Sequence, residues 1–549
     1  MPFSPRAALL LLFFAAGSES RHVLELSLSR GVPAPVSPSA ASVLDRRTTY
    51  AEEIVNYLDG GGYYVQVSVG NPPQNLTMLL DTGSSDSWVL GYDADICNSP
   101  DLQAIHGTGP CVDTFDLSKS STAHMIKRDG FRITYLDGRS ASGHYISDDF
   151  SIGGATVRAL QMAYVTRTVR PTGILGLGFS ISERTPTKYP NLMDAMFNQG
   201  SVGCKAYSLY LNDRRTDAGS ILFGGVDTDK FIGPLDVLPL QRPPGSANFS
   251  SFEIEFDSVS LTFSNGTADL VLPTSILDHP APAVLDSGTT LSYLPDKLAQ
   301  PIFSAAGAVF DAALNLTLVD CVYADSSSNP PLQHVTFSFS STSHIVVPLW
   351  SLILDVLPAD YTPITSTPSP RMSKACVFGI QSAALLRRGG NNSSSNQSSS
   401  SSSVNQGQQR HKRGQKKSAE APYALLGDTF LRSAYVVYDL THAQIGLAQA
   451  NLNSTTSSVV ELSADNPGLP KLTGVAAQQT TFTPTPSVTR LFGPKTPPAS
   501  AGSLHQNGAA GGSGGSLRWW GWGLSGEVVF VTFVTAFWIV VGGGAFCFV

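Results

Sequence analysis

The chain has 549 residues, 42% hydrophobic and 14% charged, with 50 Gly and 36 Pro. An average globular chain is about 25% charged, so this composition argues against a coiled-coil or all-helical protein, while the length allows two or more domains with full cores. The net charge is −7, and because Arg387–Lys417 holds seven basic and no acidic residues, the remainder carries −14 and offers no general case for nucleic-acid binding.

In chain order, residues 1–20 place one Arg before an apolar run and then small residues, the layout of a secretory signal peptide. Residues 21–47 are rich in Pro, Ser and Ala and end in Arg46-Arg47, as a propeptide with a dibasic maturation site would. From Tyr63 to Asn451 short strands alternate with turns. Tyr63–Val69 alternates, Gly70-Asn-Pro-Pro73 turns, and Leu76–Leu80 enters a core. Phe131–Tyr135, Ser208–Leu211, Ile221–Phe223, Glu253–Phe256 and Val335–Phe339 read alike, and the better helical candidates are Tyr189–Phe197 and Leu298–Phe310. The expected fold class is mainly β.

Gly389–Gln408, mostly Ser and Asn, reads as an exposed insertion within the basic segment 387–417. Residues 451–513 turn to Thr, Ser, Pro and Gly, a composition suited to a glycosylated stalk. Small residues at Gly508–Ser516, a spacer through Glu527 and the apolar run Val528–Val549 follow the order of a GPI-attachment signal, expected over 514–549; a plain transmembrane helix is the alternative. Membrane or cell-wall attachment at the cell surface is therefore expected.

Six cysteines suit the secretory compartment. Cys97 and Cys111 are near enough in sequence to close a small loop, and Cys321 and Cys376 a larger one, although other pairings stay open; Cys204 is left over. Sequons at Asn75, Asn248, Asn265, Asn315, Asn391, Asn392, Asn396 and Asn453 agree with secretion.

The body contains an internal repeat. Met78-Leu-Leu-Asp81-Thr82-Gly83-Ser84 recurs as Ala283-Val-Leu-Asp286-Ser287-Gly288-Thr289, and each copy is followed later by an apolar pair and Gly, at Ile174-Leu175-Gly176 and Leu425-Leu426-Gly427. Asp217-Ala-Gly-Ser220 lacks the hydroxyl at its second position and reads as a hairpin loop. Two equivalent halves, each delivering one Asp at a strand-to-turn junction, predict a two-fold arrangement with both carboxylates at its axis. Carboxylates about 3 Å apart cannot both ionise and so share a proton, which provides base and acid for hydrolysis by water. Thr82, Ser84, Ser287 and Thr289 supply hydroxyls to hold them, and Gly83 and Gly288 allow close backbone approach. His-Glu-x-x-His is absent from the sequence, and no metal or cofactor is expected.

Asp81-Thr-Gly-Ser-Ser-Asp-Ser-Trp-Val89 and Asp286-Ser-Gly-Thr-Thr290 resemble the two signatures of the pepsin-type aspartic endopeptidases. Ile133-Thr-Tyr135-Leu-Asp137-Gly138 is similar to the family's flap hairpin, with Tyr135 at the flap-tyrosine position and Trp88 at that of its supporting tryptophan. With the stalk and tail, the resemblance is strongest to the fungal GPI-anchored yapsin and candidapepsin groups. It implies a bilobal pepsin-like β fold with lobes at 48–240 and 241–450, a monomer, extended polypeptide substrates, and disulfides Cys97–Cys111 and Cys321–Cys376. Leu136 stands where a flap glycine is common, and the insertion falls in the C-terminal lobe, unlike that of the yapsins. A two-carboxylate glycosidase gives no reason for the paired symmetry. A silent surface protein that binds peptides or mediates adhesion through the same cleft would be favoured by loss of an Asp or its Gly, and both motifs are intact.

Overall fold

Alternation in Tyr63–Val69 produces a strand whose odd-numbered residues Tyr63, Val65, Val67 and Val69 enter the main core. It turns at Gly70 and pairs antiparallel with Gln74–Asp81, Tyr64 opposite Leu79. The computed structural model describes residues 24–30, 62–213, 219–243, 245–264, 270–277, 281–364, 372–387 and 423–476, together with 538–541 and 544–547.

The sequence repeat is also a repeat of topology. In the first half, Gln74–Asp81 lies parallel to Gly173–Gly176, and Trp88–Leu90 lies parallel to a partner within Ala155–Thr168. In the second half, Ala283–Leu285 lies parallel to Ala424–Leu426, and Ser292–Leu294 to Ile380–Ser382. Even the single antiparallel contacts correspond, Trp88 with Ile174 and Tyr293 with Leu425. The fold is the bilobal, mainly β architecture of the pepsin-like proteins.

The halves are joined by pairing as well as packing. Ala434–Asp439 and Gln444–Ala450, from the end of the second half, pair with Ala206–Tyr210 and Phe231–Pro239 of the first. Tyr438 stacks on Tyr207 at 4.9 Å between ring centroids and meets Phe252 at 4.7 Å. Leu24–Arg30, within the expected propeptide, pairs antiparallel with Gly219–Phe223 in the same sheet. That sheet and the two Asp-bearing strands share one apolar core that includes Leu80, Leu175, Leu285 and Leu426.

Both expected helices form, with shifted ends. The first runs Leu192–Asn198, because Asn191 caps it by accepting from Asp194 N. The second runs Asp296–Ala306 and buries Leu298, Ala299, Ile302, Phe303 and Ala306; left-handed Gly307 ends it, so residues 309–311 become a strand. The structure contains the disulfides Cys97–Cys111 and Cys321–Cys376, while Cys204 is a buried free thiol whose pKa burial pushes up to about 12.

The expected stalk boundary at residue 451 is corrected. The chain stays folded on the body through residue 476: Val459–Glu461 pairs with Gly225–Asp227, and Val475 bridges to Ile232. Composition obscured this because five apolar residues, Leu452, Leu462, Ala464, Leu469 and Leu472, suffice to pack on a hydrophobic cluster containing Phe231 and Tyr435. Residues 1–20, the insertion from 388 onward and Asp217 lie outside the described residues. In the tail, Trp538–Val541 pairs antiparallel with Gly544–Cys547, and among the described residues no helix is long and apolar enough to cross a membrane.

Replacing Leu462, 3% exposed, with Ala is expected to destabilise the body by about 2–4 kcal/mol in denaturant unfolding. A change below about 0.5 kcal/mol, typical of surface positions, would show that the 452–476 segment does not support the fold.

Candidate active site

Each Asp ends an apolar strand, and the turn after it folds back to hold the carboxylate. Gly83 N donates to Asp81 Oδ1 at 2.8 Å, and Ser84 Oγ donates to Asp81 Oδ2. In the second half Gly288 N donates to Asp286 Oδ1 at 2.9 Å and Thr289 Oγ1 to Oδ2 at 2.7 Å. The hydroxyls between Asp and Gly face the opposite half instead. Thr82 Oγ1 donates to Leu285 O and accepts from Ser287 N, while Ser287 Oγ donates to Leu80 O and accepts from Thr82 N, at 3.0–3.2 Å.

This crossing brings the carboxyls together. A Cβ on Gly83 would lie 2.5 Å from Asp286 Oδ1, and one on Gly288 would lie 2.3 Å from Asp81 Oδ1, so each glycine makes room for the Asp of the other half. Asp81 and Asp286 are buried, and a Cβ on Gly288 would lie within 3.2 Å of both their Oδ1 atoms, so the two carboxyls lie side by side. Burial raises the pKa of both. For Asp286 the charge on Asp81 adds to burial and carries it to about 7; for Asp81 the hydrogen bonds from Ser84 and Gly83 and the charge of Arg170 oppose the rise. The pair therefore tends to retain one proton between its two carboxyls.

His124–Thr134 and Ser140–Ile152 form a hairpin, closed by Tyr135 N to Arg139 O at 2.8 Å and Gly138 N to Tyr135 O at 3.0 Å, with Gly138 at φ 84° supplying the turn. Trp88 Nε1 donates to the Tyr135 hydroxyl at 2.7 Å. Asp137 Oδ1 accepts from Arg139 N, and Leu136 at the tip is 49% exposed.

Two features were missed from sequence. Asp86, inside the first signature, is buried and accepts from the hydroxyls of Tyr145 and Tyr189 and from Arg184 N at 2.7–3.0 Å, fixing the backbone between Ser84 and Trp88. An Asp two residues before a buried Trp was the only available signal. Arg170 stacks on Tyr135 and pairs with Asp137, contacts that no local motif announces.

The family described as eukaryotic aspartyl protease matches residues 62–450. The chain belongs to this family. It is 34% identical over 450 residues to a probable aspartic-type endopeptidase OPSB of Arthroderma benhamiae, covering 80% of this chain and 79% of that protein. It is 30% identical over 418 residues to secreted aspartic protease 8 of Candida albicans, covering 75% and 81%. With aspartic proteinase 3 of Saccharomyces cerevisiae the identity is 27% over 500 residues, covering 78% and 77%. As an aspartic-type endopeptidase, the protein takes polypeptides as substrates.

Gly288→Ala is expected to abolish peptide hydrolysis, because its methyl group occupies the space of the Asp81 carboxylate. Steady-state assays beside thermal unfolding check this; a folded variant with wild-type turnover would contradict the close approach.

Proposed function

We propose that Asp81 and Asp286 cleave extended peptides by activating a shared water at acidic pH, in a monomeric protein that is secreted and held at the cell surface by a GPI anchor. The observation that carries the mechanism is the close approach of two buried carboxyls, each held by its own Gly N–H and hydroxyl. The charged carboxylate of the pair takes a proton from the water as the water oxygen bonds the scissile carbonyl carbon, and the protonated carboxyl gives its proton to the carbonyl oxygen. The tetrahedral diol then collapses: the first carboxyl returns a proton to the amine nitrogen, the C–N bond breaks, and a diol hydroxyl returns a proton to the second. Thr82, Gly83, Ser84, Ser287, Gly288 and Thr289 keep the carboxyls in place. Tyr135, with Asp137 and Gly138 in the flap and Trp88 behind it, covers the bound peptide. No metal or cofactor enters the reaction.

Acid activity follows from the shared proton. As pH rises through about 7, the value for Asp286, the pair loses its acid and the rate falls. The route through the cell rests on the signal-like residues 1–20, the sequons, the disulfides and the printed name of the secreted Candida relative. The lobes are assigned to 48–240 and 241–450, a propeptide to 21–47, and the attachment signal to 514–549. Because the chain is folded to residue 476, the stalk is assigned to 477–513.

Asp286→Asn is expected to lower turnover at least about a thousandfold while pepstatin still binds; retained turnover would refute the dyad. Tyr135→Ala is expected to reduce turnover with little change in unfolding temperature, and a large thermal loss would make Tyr135 a core residue. Deleting 514–549 should send an active enzyme into the medium, and phosphatidylinositol-specific phospholipase should release the membrane-held form of the intact chain. A membrane-held protein that resists the phospholipase would point to a transmembrane helix.

A further inference from the structure

Arg170 lies in the connection between Ala155–Thr168 and Gly173–Gly176, the latter paired with the strand that carries Asp81. Segments flanking the Cys97–Cys111 disulfide hold this connection: Thr168 N donates to Asp95 Oδ1 at 3.1 Å, and Val112 N donates to Pro171 O at 3.2 Å. From that base the guanidinium reaches the flap. Arg170 Nη2 donates to Asp137 Oδ2 at 2.9 Å, and the guanidinium carbon lies 5.1 Å from the Tyr135 ring centroid. The Arg170 side chain is 11% exposed and that of Asp137 28%, so the ion pair sits at the solvent edge of the flap.

Arg170 meets Asp137 and Tyr135 of the flap, and Arg139, 4.0 Å from Asp137, is the second cation at the flap tip. The internal repeat extends to this point. Arg170-Pro-Thr precedes Gly173-Ile-Leu-Gly, and Ala421-Pro-Tyr precedes Ala424-Leu-Leu-Gly, so alanine takes the place of the cation in the second half.

We propose that Arg170 is a positioning residue for hydrolysis: it latches the flap tip over the dyad through Asp137 and Tyr135. The inference rests on the Asp81–Asp286 mechanism. A neutral side chain at this position frees the flap, which weakens peptide binding.

The test compares Arg170→Met, Arg170→Lys and Asp137→Asn in the full chain, with active sites counted by pepstatin titration. Activity is read with an internally quenched peptide that the wild type cleaves. Arg170→Met is expected to raise KM about tenfold, the equivalent of one ion pair and ring contact, with kcat per titrated site little changed. Lys lacks the planar fork, so it should not restore KM. Asp137→Asn should raise KM likewise. An Arg170→Met enzyme with unchanged KM, whatever its thermal midpoint, overturns the proposal. If that variant does not fold, unchanged KM in both Arg170→Lys and Asp137→Asn overturns it instead. A wild-type chain that cleaves nothing refutes the mechanism rather than the latch; the latch is then decided by pepstatin affinity, expected about tenfold weaker in Arg170→Met.

Discussion

The structure depends on one crossing, in which the turn after each catalytic strand is completed by the other half. Thr82 and Ser287 exchange hydrogen bonds across the axis, and Gly83 and Gly288 leave room for each other's carboxylate. Neither half can form this site alone. Burying two carboxyls in contact costs free energy unless they share a proton and their remaining lone pairs are met. Backbone N–H groups and hydroxyls meet them here. The arrangement that makes the pair tolerable in the fold also makes it chemically useful, because the retained proton is the acid of the reaction.

A site built across two halves requires the halves to keep their relative position. The shared sheet and the contact of Tyr207, Phe252 and Tyr438 provide this on the inner side. The 452–476 segment adds a second tie by returning from the end of the second half to pair with Gly225–Asp227 of the first. Long-range pairing of this kind is slow to form because loop closure precedes the reward. Leu24–Arg30, at the other end of the chain, occupies the same sheet beside Gly219–Phe223.

The two-fold symmetry is broken where function needs direction. The flap rises from the first half, and there Trp88, Tyr135, Asp137 and Arg170 form a connected set of contacts. Asp86 anchors the strand end below it through Tyr145 and Tyr189.

The sequence by itself determined the fold class, both Asp turns, the flap turn and two of the helices. In each case the information is local: a period of two, an Asp-hydroxyl-Gly turn, or an apolar face at helical spacing within one short stretch. It left open which cysteines pair, because pairing depends on which loops meet. It placed the stalk boundary too early, because a few leucines in a Thr- and Ser-rich segment gain stability only when a distant cluster accepts them. Only the tertiary structure assigned roles to Asp86 and Arg170. Their partners lie 59 and 103 residues away for Asp86 and 33 residues away for the Arg170–Asp137 contact, and a charge has no distinguishing mark in sequence until the fold buries it beside what it acts on.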